Sequence, residues 1–199
     1  MAVAATVDLY TQITQRLLPI PAKFHYTFNL RDVAKVFQGI LMTRAQSVSS
    51  TEAFARLWQH ECARVFSDRL TDQGDRQFFK ETAAELMKSK LKSAVKEEEP
   101  IFSILLKLEQ EVVFYEEVTD KAKLLKVLED KLSDCNLSSQ TLGYPKMNLV
   151  FFGDAVSHVL RVARILRQPR GNAMLIGVAG CGKQSLTRLA AFMLDCRAF

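Results

Sequence analysis

The chain has 199 residues, 48% of them hydrophobic and 25% charged, with a mean hydropathy of zero; this predicts a soluble globular protein of one domain or two small ones, not a disordered chain. Its four cysteines, Cys62, Cys135, Cys181 and Cys196, show no C-x-x-C spacing and no paired histidines, so neither a zinc site nor a disulfide framework is indicated and reduced thiols are expected. The net charge of +5 is uneven: residues 1–145 hold 19 Lys/Arg against 20 Asp/Glu, and residues 146–199 hold 8 against 2. Basic residues are not interleaved with aromatic ones, which argues against nucleic acid and for an anionic small ligand.

The opening MAVAATVDLY lacks a basic n-region and carries Asp8, so no secretory signal is expected. Val7, Tyr10, Ile13 and Leu17 predict a helix over Thr6 to Leu18, stopped by Pro19 and Pro21. After an extended connector, Asn29 is a candidate N-cap for a helix from Leu30 to about Thr43, with Val33, Val36, Phe37, Ile40 and Leu41 inward and Arg31 opposite. A second stripe, Phe54, Leu57, Trp58, Cys62, Val65 and Phe66, predicts a helix from Glu52 to Leu70, with His60 on its surface. A third helix is expected over Arg76 to Lys96, ending at KEEEP. Ile101 to Leu108 fits strand or helix, and EQEVVFYEEV fits an extended segment. A fourth helix, Asp120 to Cys135, carries Leu125, Leu128, Leu132 and Cys135 on one face, and Asn136 to Pro145 forms a linker rich in Ser, Gly and Pro.

Beyond the linker, Asp154 is the expected N-cap of a helix through Arg167, with His158, Arg161 and Arg164 on its solvated side. Ala173 to Ile176 then reads as a strand entering Gly177-Val178-Ala179-Gly180-Cys181-Gly182-Lys183, followed by a helix. The spacing is that of a phosphate loop, G-x-x-x-x-G-K, in which glycines let backbone N–H groups surround a phosphate. Lys183 would place an ammonium beside the β and γ phosphates, at the partly positive N-terminus of the helix. Gln184 replaces the usual Ser or Thr, whose hydroxyl ligates magnesium; Ser185, about 100° further round, points elsewhere. Binding is therefore expected more strongly than hydrolysis. The apolar run around this loop is about half of the ~20 residues a membrane span requires.

Both halves resemble one family. LPIPAKFHYTFNLRDVAKVFQGI (Leu18 to Ile40), LWQHECARVFSDRL (Leu57 to Leu70) and FYEEVTDKAKLLKVLEDKL (Phe114 to Leu132) resemble the helical lid of the third AAA+ module of an axonemal dynein heavy chain. MNLVFFGDAVSHVLRVARILRQPRGNAMLIGVAGCGKQSLTRLAAFM (Met147 to Met193) resembles the opening of the fourth. The resemblance implies a mostly α fold: a helical lid bundle over residues 1–135, a linker over 136–146, and over 147–199 an incomplete α/β P-loop core of helix, strand, P-loop and helix.

It further implies that Gly177, Val178, Ala179, Gly180, Cys181, Gly182, Lys183, Gln184 and Ser185 hold ATP or ADP, with Mg2+ coordination weakened by Gln184. Arg31 would be a nucleotide-sensing arginine for the third module. Implied partners are the remaining AAA+ modules of the heavy chain, dynein complex subunits and, indirectly, microtubules; nucleic acid and membrane are not among them. The implied location is the cytoskeleton of the ciliary or flagellar axoneme. Sixteen residues follow Lys183, short of any Walker B carboxylate or sensor, so the segment is expected to be non-catalytic by itself. The alternative is a free-standing helical regulatory or interaction protein with a vestigial P-loop.

Overall fold

The computed structural model describes residues 1–93, 99–107, 114–139, 143 and 145–196. The end of the expected third helix, Leu108 with the start of the acidic stretch, and the middle of the expected linker lie outside the described residues. The chain forms two compact units, Met1–Phe102 with Tyr115–Glu117, and Ser103–Phe114 with Val118–Phe199.

The first unit is a helical bundle of α1 (Ala2–Arg16), α2 (Leu30–Ile40), α3 (Thr51–Cys62) and α4 (Gln73–Lys90). Helix α1 begins four residues earlier than its apolar spacing suggests, because Ala2 to Ala5 are good helix formers and Ala5 is buried. It ends before Leu18, the residue that Pro19 bars from helical backbone. Asn29 caps α2 as expected, in a reciprocal box: its side chain accepts from the first turn, and Asp32 accepts the Asn29 N–H at 3.1 Å. Ser50 and Asp72 cap α3 and α4 by accepting first-turn N–H groups, without a reciprocal bond, which sets their starts before the first periodic apolar residue.

The expected long helix from Glu52 continues beyond α3 as a π turn, Ala63–Ser67, where Asp68 N–H reaches back five residues to Ala63. The wider turn allows Cys62, Val65 and Phe66 all to be buried. They join Leu9, Ile13, Val36, Trp58, Leu70, Phe79 and Met87 in one core. Each such side chain contributes roughly 1.5–3 kcal/mol by leaving water. Trp58 completes its burial by donating from Nε1 to Thr6 Oγ1 at 2.9 Å, while the Thr6 hydroxyl donates to Ala2 O.

His60 is not the surface residue that periodicity predicts. It is 6% exposed, with Nδ1 2.8 Å from the carbonyl of Pro100. Phe102 and Tyr115, in irregular chain that helical spacing cannot foresee, cover it at ring distances of 5.4 and 6.2 Å. Phe102–Ser103 and Glu116–Glu117 pair as a two-stranded sheet, β1 and β2, in the regions expected to be ambiguous or extended.

The second unit contains α5 (Lys121–Leu137), α6 (Gly153–Arg167) and α7 (Lys183–Met193); α6 packs on α7, and α5 also packs on α7. Asp120 caps α5, accepting from Lys123 N–H at 2.9 Å. The buried stripe is Leu124, Leu128 and Cys135, with Leu125 and Leu132 half-buried at its edge, so the apolar face is rotated from the expected one. Asp154 is not the cap of α6: Phe152 occupies that place without a side-chain bond, and Asp154 lies in the first turn, where its charge suits the helix dipole. Arg164 corrects the expectation of a solvated arginine face, being only 8% exposed, and Arg161 is half-buried; His158 is exposed as expected.

Candidate nucleotide site

The expected strand Ala173 to Ile176 has no hydrogen-bonded ladder: the described residues contain only the β1–β2 sheet, and no parallel neighbour is offered to this segment. Met174 and Ile176 are 85% and 81% exposed. The loop itself has its own geometry. Gly180 and Gly182 take left-handed backbone, with φ of 78° and 81°, a conformation that costs an L-residue about 1–2 kcal/mol. Gly182 is the N-cap of α7, and the first helical bond of that end runs from Leu186 N–H to Gly182 O at 2.9 Å. The N–H groups of Lys183, Gln184 and Ser185 therefore precede the intrahelical ladder, as an anion site requires.

Lys183 folds back over the loop. Its ammonium donates to the carbonyls of Gly177 and Val178, both at 2.7 Å, and lies 3.3 Å from Cys181 Sγ. Two of the three ammonium protons thus fix the loop neck. Gly177 lies close under the loop: a Cβ there would stand 2.9 Å from Cys181 Sγ and would make that side chain turn aside. The loop is consequently held in a defined shape by contacts among its own residues.

Gln184 is exposed and Ser185 half-buried, and the first turn of α7 contains no acidic residue. Thr187 turns its hydroxyl onto Lys183 O at 2.8 Å. A phosphate fits this arrangement of left-handed glycines, free first-turn N–H groups and a lysine. For magnesium the loop presents an amide, Gln184, in the place of the usual hydroxyl, a weaker ligand. Val178, Ala179, Gly180 and Cys181 are solvent-exposed.

Arg31 belongs to the first unit, exposed in the first turn of α2, where its N–H donates to Asn29 Oδ1 at 2.9 Å. Its neighbour Asp32 is buried and pairs with Arg69 at 3.1 Å and Lys35 at 3.7 Å. The sequence reading missed Asp32, although the spacing Asn29 to Asp32 is that of a capping box. It also missed Glu61, fully buried, which accepts the Tyr115 hydroxyl proton at 2.7 Å. No local pattern points to that pair, which lies 54 residues apart in sequence. Burial pushes the Cys62 thiol well above its ordinary range, with the adjacent Glu61 adding to the rise, and burial also raises Cys135. These two thiols are inert core groups.

Residues 2–100 match the family of AAA+ lid domains, and residues 147–199 match the P-loop containing dynein motor region D4. The chain is similar to human dynein axonemal heavy chain 2, at 42% identity over 98% of the chain, and to mouse dynein axonemal heavy chain 1, at 43% over 99%. It is also 39% identical, over 98% of the chain, to the dynein-1-beta heavy chain of the flagellar inner arm I1 complex of Chlamydomonas reinhardtii. The chain spans only 4–5% of the length of these relatives. With a lid domain and a dynein P-loop region in the order those relatives share, the chain belongs to the axonemal dynein heavy-chain family.

Proposed function

We propose that this segment binds ATP or ADP through Gly177 to Ser185 and contributes one wall of a nucleotide site in the AAA+ ring of a heavy chain that drives microtubule-based ciliary movement. The observation that carries this reading is the N-terminus of α7, where left-handed Gly182 is the cap and the N–H groups of Lys183, Gln184 and Ser185 stand ahead of the intrahelical ladder. The segment is not catalytic by itself; Gln184 disfavours magnesium. Lid (1–135), linker (136–146) and the start of the P-loop module (147–199) are the proposed divisions, consistent with lid and motor-region matches at 2–100 and 147–199. Arg31 is proposed to sense nucleotide at the preceding module's site. The partners are the other ring modules and dynein complex subunits, with microtubules engaged indirectly, in the axonemal cytoskeleton.

Calorimetric titration with ADP and with ATP of the heavy-chain segment extended through the complete P-loop module tests the binding claim. Saturable binding that weakens about tenfold or more in Lys183→Ala is expected, since a charge-assisted hydrogen bond contributes about 1.5–3 kcal/mol. Equal heats in the two proteins would favour a vestigial loop.

A further inference from the structure

Residues Tyr115–Glu117 belong to the first unit, although the chain on either side of them belongs to the second. Several contacts hold this short clip in the first unit. The Tyr115 hydroxyl donates to buried Glu61, and its ring stacks beside His60 and Phe102. Glu117 accepts from Arg56 Nε at 2.8 Å, β2 pairs with β1, and Glu116 accepts the hydroxyl proton of Ser47 at 3.3 Å.

Ser47 is the exposed member of that set. It ends a single 3-10 turn, Ala45–Ser47, in the loop between α2 and α3, and Arg44 through Ser47 are all exposed. The local sequence is Arg44-Ala45-Gln46-Ser47-Val48, a serine three residues after an arginine, the charge pattern read by basophilic serine/threonine kinases. The chain's other Arg-x-x-Ser, Arg64 to Ser67, lies within the π turn, where Ser67 is half-buried and Arg64 is paired to Asp68 at 3.1 Å. Only the first can be presented to an enzyme without unfolding a helix.

We propose that Ser47 is a phosphorylation site whose modification releases the Tyr115–Glu117 clip. Ser47 Oγ attacks the γ-phosphorus of ATP in a kinase active site; the bridging P–O bond breaks, ADP leaves, and the hydroxyl proton passes to the kinase's base. The product carries about −1.5 to −2 charges where a neutral donor stood. The hydrogen bond to Glu116 is replaced by repulsion between phosphate and carboxylate, next to a second carboxylate, Glu117. The inference is independent of nucleotide binding.

The test is incubation of the 199-residue chain with a basophilic kinase and Mg-ATP, peptide mapping by mass spectrometry, and hydrogen exchange of the modified protein. One phosphate on Ser47, absent from Ser47→Ala, is expected, with exchange at the amides of Tyr115 to Glu117 at least tenfold faster. In Glu116→Gln, which removes the opposing charge, the acceleration should fall by half or more. No phosphate on Ser47, unchanged exchange after modification, or the same acceleration in Glu116→Gln would overturn the proposal.

Discussion

Asn136 and Met147 bracket the segment expected to be a linker, and they clamp it shut: Asn136 Nδ2 donates to Met147 O at 2.8 Å, and Met147 N–H donates to Asn136 Oδ1 at 2.7 Å. One amide side chain thus imitates a backbone pair and fixes where the chain leaves α5. Asn136→Ala is expected to cost about 1–2 kcal/mol for two lost bonds. Asn136→Asp should cost as much or more, because a carboxylate cannot donate to the Met147 carbonyl. Urea unfolding of both variants checks this, and an Asp variant as stable as the parent would contradict it.

Thr6→Val tests the core of the first unit. The change is nearly isosteric but strips the acceptor from Trp58 Nε1, leaving a buried N–H without its partner. A loss of about 1–3 kcal/mol is expected. Trp58→Ala, which opens a cavity as well, should cost about 3–5 kcal/mol. Thermal or urea midpoints of the two variants give the comparison.

The loop joining α3 to α4 makes stability depend on pH at both ends. The N–H groups of Gly74 and Asp75, followed by Lys23, hold the Asp72 carboxyl below its ordinary value of 3.8. Its contribution is therefore complete above that value and is lost as pH falls through the lowered one. Lys23, bonded to Asp75, is raised above 10.5, so its contribution is complete below that value and is lost as pH rises through the raised one. Asp72→Asn should flatten the acid limb of the stability curve and weaken the alkaline limb only in part, since Asp75 remains bonded to Lys23, as followed by unfolding midpoints from acid to alkaline pH.

Gly182 carries a φ of 81°, with nothing near enough to clash with an added Cβ. Gly182→Ala should thus destabilise the loop through backbone strain alone, by about 1–2 kcal/mol. Gly182→Asn should cost less, since asparagine tolerates that conformation. The order of melting temperatures, parent above Asn above Ala, is the readout.

Gln184→Thr restores the hydroxyl normally presented to magnesium. Adding Mg2+ should then strengthen ATP binding several-fold in the variant and little in the parent. A parent as responsive to Mg2+ as the variant would show that the amide serves equally well.

Much of this was legible in the chain because the signals were local. The Asn29 cap, the inward run Leu57, Trp58, Cys62 and Phe66, and the glycine spacing of the loop each depend on residues a few positions apart. The misses share a different cause. His60 is buried by Phe102 and Tyr115, and Glu61 is satisfied by Tyr115, contacts made by irregular chain 40 or more residues away. Arg164 is buried by the packing of α6, which helical periodicity of charge cannot report. The strand before the phosphate loop was read from its apolar composition, but a strand also requires a neighbour to pair with.

The central claim is that the Gly177 to Ser185 loop holds a nucleotide through Lys183. Its most direct test is the melting temperature, across an ADP series, of the heavy-chain segment extended through the complete P-loop module, for the parent and Lys183→Ala, with and without EDTA. The parent should gain stability with ligand, by about 2.7 kcal/mol at a hundredfold excess over Kd, whether or not EDTA is present, and Lys183→Ala should gain about half of that or less over the same range. A parent curve indifferent to ADP, or an equal rise in Lys183→Ala, would contradict the account.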